Sequence, residues 1–380
     1  MGYAVVKGGE AAIEAAARVV DHFRLRRLHA PDRGNKDVTP IETAAIAGGL
    51  RFSLYKVMAE GGLYAPEVAA TAIKQAEGDL VEAAFILRSH RTSIPRAGYS
   101  VAASSQEMRV IRRISSTFKD IPGGQFLGPT RDYTLRRLQP DLANETPERA
   151  QVRLADTESV APSQRQPSMP KVTDLLRHFR AIRAKDAAAE AKAPQDITIS
   201  PMRFPNPDRT ARLQAMARGE GGAMAAIAYS SLRGYGHAHP AIAELRVGFV
   251  PLRITDPVTG ETVTIGEVLM TECECVVSGS GMLQVRKDAE GDVYFEMGYG
   301  ASFGQLENKA IAMAILDASM SAEEASAPAE DREFVLYHID GIESAGFVDH
   351  LKLPHYLSFT SALDRLRAAG LGKEAKEAAE

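Results

Sequence analysis

Leu245-Arg246-Val247-Gly248-Phe249-Val250-Pro251-Leu252-Arg253-Ile254 decides the fold class. Its alternating, β-branched character predicts an extended strand. Thr262 to Val268 and Val293 to Met297 share that character, and Glu333 to Ile339 reads as a further strand. Helical patterns lie between them at Thr210–Arg218, Ala223–Leu232, Leu306–Met320 and Ser361–Arg367.

The first 120 residues read almost wholly as helices. An alanine-rich stretch runs from Glu10 to Leu28, and Thr39-Pro40-Ile41-Glu42 has the form of a capping box opening a helix that stops at Gly61-Gly62. Further helices are predicted from Pro66 to Gly78 and, behind Asp79 with Glu82, to Arg91. Strands gathered in the second half and helices in the first predict an α+β fold. A helical N-terminal region precedes a mixed C-terminal region with a mainly antiparallel sheet. The expected divisions are a helical domain over 1–140, a linker or insertion over 141–195 and an α+β domain over 196–380. Pro147, Pro162, Pro167 and Pro170 interrupt the polar middle segment, where one helix is expected near Val172 to Ala191 and residues 155–170 are expected to lack order.

Composition narrows the function classes. The 380 residues are 45% hydrophobic and 25% charged, which suits a chain with a large core. No apolar run is long enough to span a membrane, and the N-terminus lacks a secretory pattern, so a cytoplasmic location is expected. Residues 1–140 carry 20 Lys and Arg against 14 Asp and Glu, whereas the remainder carries 25 against 35. So mild a basic half suits an anionic small molecule or a protein surface, and no nucleic-acid partner is expected.

Four motifs could carry chemistry. Gly346-Phe347-Val348-Asp349-His350-Leu351-Lys352-Leu353-Pro354-His355-Tyr356 places two histidines five residues apart with a proline before the second. Pro354 opposes a regular helix through both, and a stiffened turn can aim two imidazoles at one metal ion. Gly123, Gly124 and Gln125, followed by Gly128-Pro129-Thr130, form a glycine-rich loop beyond the basic stretch of Arg112, Arg113 and Lys119. Such a loop brings backbone amides close to an anion, or it is simply a rigid double turn. Val6-Lys7-Gly8-Gly9-Glu10 has the form of a strand–glycine–helix junction able to hold phosphate, or of a plain tight turn. In Glu272-Cys273-Glu274-Cys275 the thiols share one strand face, a poor spacing for tetrahedral zinc, and Cys273 reads as a buried small hydrophobe. No nucleophile elbow or His-Glu-x-x-His motif occurs.

These blocks resemble the signatures of the PhnI family, a subunit of the bacterial carbon–phosphorus lyase core complex. The resemblance covers the histidine segment, Asp120 to Thr134, Val6 to Glu10, Leu269 to Glu274, and Arg233-Gly234-Tyr235-Gly236 with His239-Pro240, in the family's order. His237 falls outside the shared residues. The resemblance implies displacement of adenine from MgATP by methylphosphonate, giving α-D-ribose 1-methylphosphonate 5-triphosphate, and purine nucleosidase activity for the subunit alone. It implies PhnG, PhnH and PhnJ as partners in a two-fold assembly, PhnL for the synthase step, and no iron–sulfur cluster in this chain. It also implies zinc held by His350 and His355 and shared with PhnJ. Such chemistry needs a carboxylate near the ribose carbon, for which Asp132, Glu272 and Glu60 are candidates. Lys7, Gly123, Gly124 and Gln125 are candidates for the phosphate end. A non-catalytic scaffold, or an independent zinc hydrolase, is the competing reading.

Overall fold

The computed structural model describes residues 9–26, 40–158, 169–178, 194–236, 239–278, 286–287, 293–322 and 324–377. By internal contacts the chain divides into Met1–Glu42 with Ile342–Glu380, and Thr43–Gly341.

Helices α1 (Glu10–Arg26), α2 (Thr43–Gly49), α3 (Arg51–Gly61), α4 (Pro66–Gln75) and α5 (Leu80–Ser93) fill the first part of the chain. The expected single helix from Pro40 to Gly61 is instead two. Pro40–Glu42 precede the first, and Leu50, at φ −113° and ψ 47°, separates them after Gly48 and Gly49. Consecutive glycines weaken a helix interior, so the chain turns there. The other signals hold. Asp79 caps α5 by accepting from Val81 N at 2.9 Å and Glu82 N at 3.2 Å, and Gly62 ends α3 at φ +71°. Leu54, Val57, Met58, Ile73 and Leu87 form the buried core of α2–α5.

Four antiparallel strands follow: β1 (Arg109–Ile114), β2 (His239–Thr255), β3 (Thr262–Ser278) and, beyond a small ribbon of β4 (Arg286–Lys287) and β5 (Val293–Tyr294), β6 (Glu296–Phe303). The order across the sheet is β1-β2-β3-β6, in agreement with the expected α+β class. Between β1 and β2 lie α6 (Pro147–Glu158), α7 (Val172–His178), α8 (Arg209–Arg218) and α9 (Gly221–Ser230). The disorder expected over 155–170 falls mostly outside the described residues. Helix α10 (Glu307–Ser319) packs on one sheet face, where Ala310 and Ala314 meet Leu245, Cys273 and Cys275. The approach is close enough that a Cβ on Gly298 would stand 1.8 Å from Ala314 O, and one on Gly300 2.1 Å from Ala310 O. Only glycine permits that spacing.

The segment expected as a strand at Glu333–Ile339 is helix α11 (Arg332–His338). Asp331 caps it by accepting from Phe334 N at 3.0 Å, and Val335, Leu336 and Ile339 are buried at helical spacing. Its β-branched residues suggested a strand, but the cap and the three-residue step decide otherwise. They join Met216, Met224, Met313, Leu316 and Met320 in the largest apolar cluster. The final helices are α12 (Gly341–Asp349) and α13 (Tyr356–Glu377). Among the described residues no helix is long and apolar enough to cross a membrane.

Candidate functional site

The sheet face opposite α10 is charged. Alternation sends Leu245, Cys273 and Cys275 toward α10, so Glu244, Arg246, Glu272, Glu274 and Tyr299 point the other way. Arg246 pairs with Glu272 at 2.5 Å, and Glu272 also accepts from the Ser105 hydroxyl at 2.7 Å, Lys171 Nζ at 2.8 Å and the Tyr299 hydroxyl at 3.1 Å. Lys171 reaches Glu274 at 3.0 Å, while Arg113 of β1 pairs with Glu244 at 2.6 Å. The pKa values of Glu272 and Glu274 are moved in opposite directions. Burial opposes ionisation of Glu272, but Arg246 and Lys171 overcome it and pull its pKa down to about 2. Burial raises that of Glu274, and Lys171 only partly offsets it. As folded this face is largely closed to solvent, with Glu272 3% and Glu274 7% exposed.

The glycine-rich loop lies along the free edge of β1. Arg113 and Phe126 exchange backbone hydrogen bonds of 2.9 Å, and Arg112 and Arg113 of β1 then grip the loop. Arg113 donates to Pro122 O at 2.5 Å, whereas Arg112 donates to Leu127 O at 2.6 Å, contacts Glu307 at 3.0 Å and pairs with Asp132. The Gln125 side chain is engaged within the loop, donating to Phe118 O and Lys119 O and accepting from Ser115 N. Asp132 is held below the usual carboxylate range by the Thr130 hydroxyl and by Arg112, and its side chain is 44% exposed. Gly123 and Gly124 are both left-handed, at φ +81° and +77°. A Cβ on Gly124 would meet nothing within 4 Å, whereas one on Gly128 would stand 2.2 Å from Ile111 O at φ +58°. Gly124→Ala should therefore cost about 1–2 kcal/mol from backbone strain alone. Gly128→Ala should cost about 3 kcal/mol, with overpacking added. Urea midpoints of the two variants would check this order.

Glu60 lies elsewhere, 3% exposed at the end of α3. Its carboxylate accepts from Gly221 N at 3.3 Å, and burial raises its pKa against the pull of Lys309 and Lys56. Lys309, fully enclosed, falls to about 8 through burial and donates to Ala217 O at 2.7 Å. Thus the three candidate carboxylates occupy three environments, and Asp132 is the open one. Lys7 and His237 lie outside the described residues. Gly234, Tyr235 and Gly236 line a shallow cavity of about 400 Å³ with Ser326, Ala327 and Pro328.

His350 opens a short 3-10 turn after α12, and His355 precedes α13, so Pro354 separates the two helices as its chemistry requires. The ring centroids are 5.4 Å apart. His350 Nδ1 contacts Phe347 O, and His355 Nδ1 meets Leu353 O at 2.6 Å. A carbonyl only accepts, so Nδ1 carries the proton and each Nε2 lone pair is left for a metal. The donors fit zinc as half a site: among the described residues no group of three or more His, Cys, Asp or Glu could hold a metal. Phe347, Val348, Leu351, Tyr356 and Leu357 beside them are each about two-thirds or more exposed.

Sequence reasoning missed Lys171, Arg246, Tyr299 and Ser105. Their signal was faint, because none belongs to the Glu272 motif and each reaches it only through the fold. It also passed over Arg131, Arg136 and Arg137, which cluster in sequence around Asp132. All three are exposed, and Arg136 lies 3.5 Å from the Asp132 carboxylate.

Among the candidates, Asp132 is thus the exposed carboxylate, set among arginines beside a glycine turn. Residues 2–371 match the family described as bacterial phosphonate metabolism protein. The chain belongs to the PhnI family. It is 49% identical over 373 residues, 97% of this chain and 95% of the relative, to HtxH of Stutzerimonas stutzeri, named as a C-P lyase subunit protein. It is 43% identical to the alpha-D-ribose 1-methylphosphonate 5-triphosphate synthase subunit PhnI of Escherichia coli (strain K12), over 96% of this chain and 97% of that one. The like-named subunit of Rhizobium meliloti (strain 1021) is 40% identical over 96% of this chain and 94% of its own.

Proposed function

We propose that this chain is the nucleotide-handling subunit of an α-D-ribose 1-methylphosphonate 5-triphosphate synthase, a cytoplasmic transferase that displaces adenine from MgATP with methylphosphonate. Identities of 40% and 43% to subunits of that name, over nearly the whole of both chains, support the assignment over a pure scaffold. The single structural observation that carries it is Asp132, an ionised carboxylate open to solvent within a loop of arginines and left-handed glycines. Breaking an N-glycosidic bond builds positive charge on the ribose, which a nearby carboxylate stabilises. Arg131, Arg136 and Arg137 supply countercharge for a triphosphate, with Mg²⁺ arriving on the nucleotide. Glu272 and Glu60, being enclosed, position the sheet and helices and do not touch the ribose. With water in place of the phosphonate, the same site would act as a purine nucleosidase.

Zinc belongs to this reading as a shared ion. His350 and His355 would hold it through Nε2, and PhnJ would complete the set; its chemistry there is to join the subunits. The exposed apolar side chains around the histidines suit the same docking. PhnG, PhnH and PhnL are the further partners proposed.

Adenine release from MgATP by the chain with its partners tests the reading. Asp132→Asn should lower kcat by about ten- to a hundredfold, equivalent to about 1.4–2.7 kcal/mol, while the melting temperature holds. Full activity in a folded Asp132→Asn variant would remove this carboxylate from the chemistry.

A further inference from the structure

The polar contacts that join Leu127–Asp132 to the sheet and to α10 lead back to one residue. Arg112 spreads its guanidinium over three acceptors. Nη1 donates to Leu127 O at 2.6 Å, Nη2 donates to the Asp132 carboxylate, and Nε stands 3.0 and 3.1 Å from the two oxygens of Glu307. Two residues beyond Leu127, Pro129 O accepts from Gln305 Nε2 at 2.8 Å, and the same nitrogen donates to Glu307 at 3.0 Å. Both side chains that hold this stretch are themselves held by the Glu307 carboxylate.

Glu307 is a firm anchor. It opens α10, where the helix dipole favours a negative charge. The backbone just before it is tied to β3, because the buried Thr271 hydroxyl donates to Gly304 O at 2.7 Å and accepts from Leu306 N at 3.0 Å. Exposure rises along the chain of contacts: the Arg112 side chain is 1% exposed, that of Glu307 20% and that of Asp132 44%. The inner end is fixed by the fold, and the outer end is a carboxylate that a ligand can reach.

A guanidinium is planar, so its three contacts set one another's directions. Without the Glu307 carboxylate, Arg112 loses the acceptor that fixes its plane, and Gln305 loses the one that aims its amide at Pro129. A carboxylate that stabilises charge on one ribose carbon must stand at that carbon, and a misplacement of about 1 Å can cost a hundredfold in rate. We propose that Glu307 is a positioning residue for the reaction: it fixes Arg112 and Gln305, and through them sets where the Asp132 carboxylate stands. This rests on the reading of Asp132 as the carboxylate beside the ribose.

Rates of adenine release from MgATP by the assembled complex test it, with Glu307→Gln, Asp132→Asn and the double variant measured together. Glu307→Gln keeps the volume and removes the charge, and should lower kcat about tenfold. The KM for MgATP should change by less than about twofold, because exposed arginines can follow a displaced loop onto the phosphates. The double variant should lose no more than Asp132→Asn alone, whereas independent losses would multiply. Gln305→Met removes the amide that reaches Pro129 and should lower kcat about threefold; it takes the place of Glu307→Gln in the same cycle if that variant misfolds. Multiplied losses in the double variant, a loss confined to KM, or an unchanged kcat would overturn the positioning role. If Asp132→Asn is impaired and Glu307→Gln is not, the reading of Asp132 stands and the role of Glu307 alone falls. Full activity in Asp132→Asn removes both.

Discussion

Glu272→Ala should lower the free energy of unfolding by about 3–5 kcal/mol, the usual cost of breaking a buried ion pair from one side. The substitution leaves Arg246, 1% exposed, and Lys171 without the carboxylate that neutralises both, and it strands the Ser105 and Tyr299 hydroxyls. Linkage gives an independent figure. A pKa of about 2 against the ordinary 4.5 corresponds to about 3 kcal/mol at 1.36 kcal/mol per unit. The sign is that of a depressed carboxyl: the stabilisation is present above pH 4.5 and is lost as pH falls toward 2. Urea unfolding at pH 7 and at pH 3 should therefore show a larger Glu272→Gln deficit at the higher pH. A deficit independent of pH, or below 1 kcal/mol at neutrality, would mean that Glu272 does not organise the charged face.

Removing both histidines should empty the proposed shared metal site. His350→Ala with His355→Ala should bring zinc in the assembled complex close to nil, and each single variant should weaken zinc at least about a hundredfold, since even outer-shell partners of a metal ligand are worth 10–100-fold. Little else should change, because His355 is exposed and each ring's described hydrogen bond goes to a carbonyl of its own segment. Equal zinc per complex in mutant and parent, measured by atomic emission with the far-ultraviolet circular dichroism preserved, would refute the assignment.

Which parts of this molecule could be read from its sequence follows from where each signal lies. Asp79, Gly62 and Pro354 act on their immediate neighbours, and all three were legible. Strand β1 was not, because Arg112 and Arg113 look like surface charge; both are in fact buried, satisfied by carboxylates and carbonyls from distant segments. The same blindness shortened β3. Its alternation of Glu with Cys suggests one wet face, but residues 104–107 and the stretch from Lys171 into α7 bring polar partners to that face. Among the candidates, the Asp132 loop stood out in sequence because its glycines are contiguous.

The long β2–β3 hairpin is unevenly supported. β1 accompanies it as far as Phe249 and β6 as far as Met270, while the rungs from Val250 and Val268 to Thr255 and Thr262 pair mainly with each other. At its base Val250 and Val268 are buried against Met108 and Val110; farther out that half is held by an amide bond from Val101 to Arg253 O and by the Arg253–Glu107 and Arg109–Glu267 ion pairs, and Val258 at its tip is 91% exposed. A two-stranded ribbon is marginal alone, so its amide hydrogens should exchange through local opening, far below the energy of global unfolding. Amides near Glu272, with strands on both sides, should exchange only when the sheet itself comes apart. One continuous hairpin thus contains both a fixed anchor and a pliant arm, and the arm can bend without disturbing the charges beneath its base.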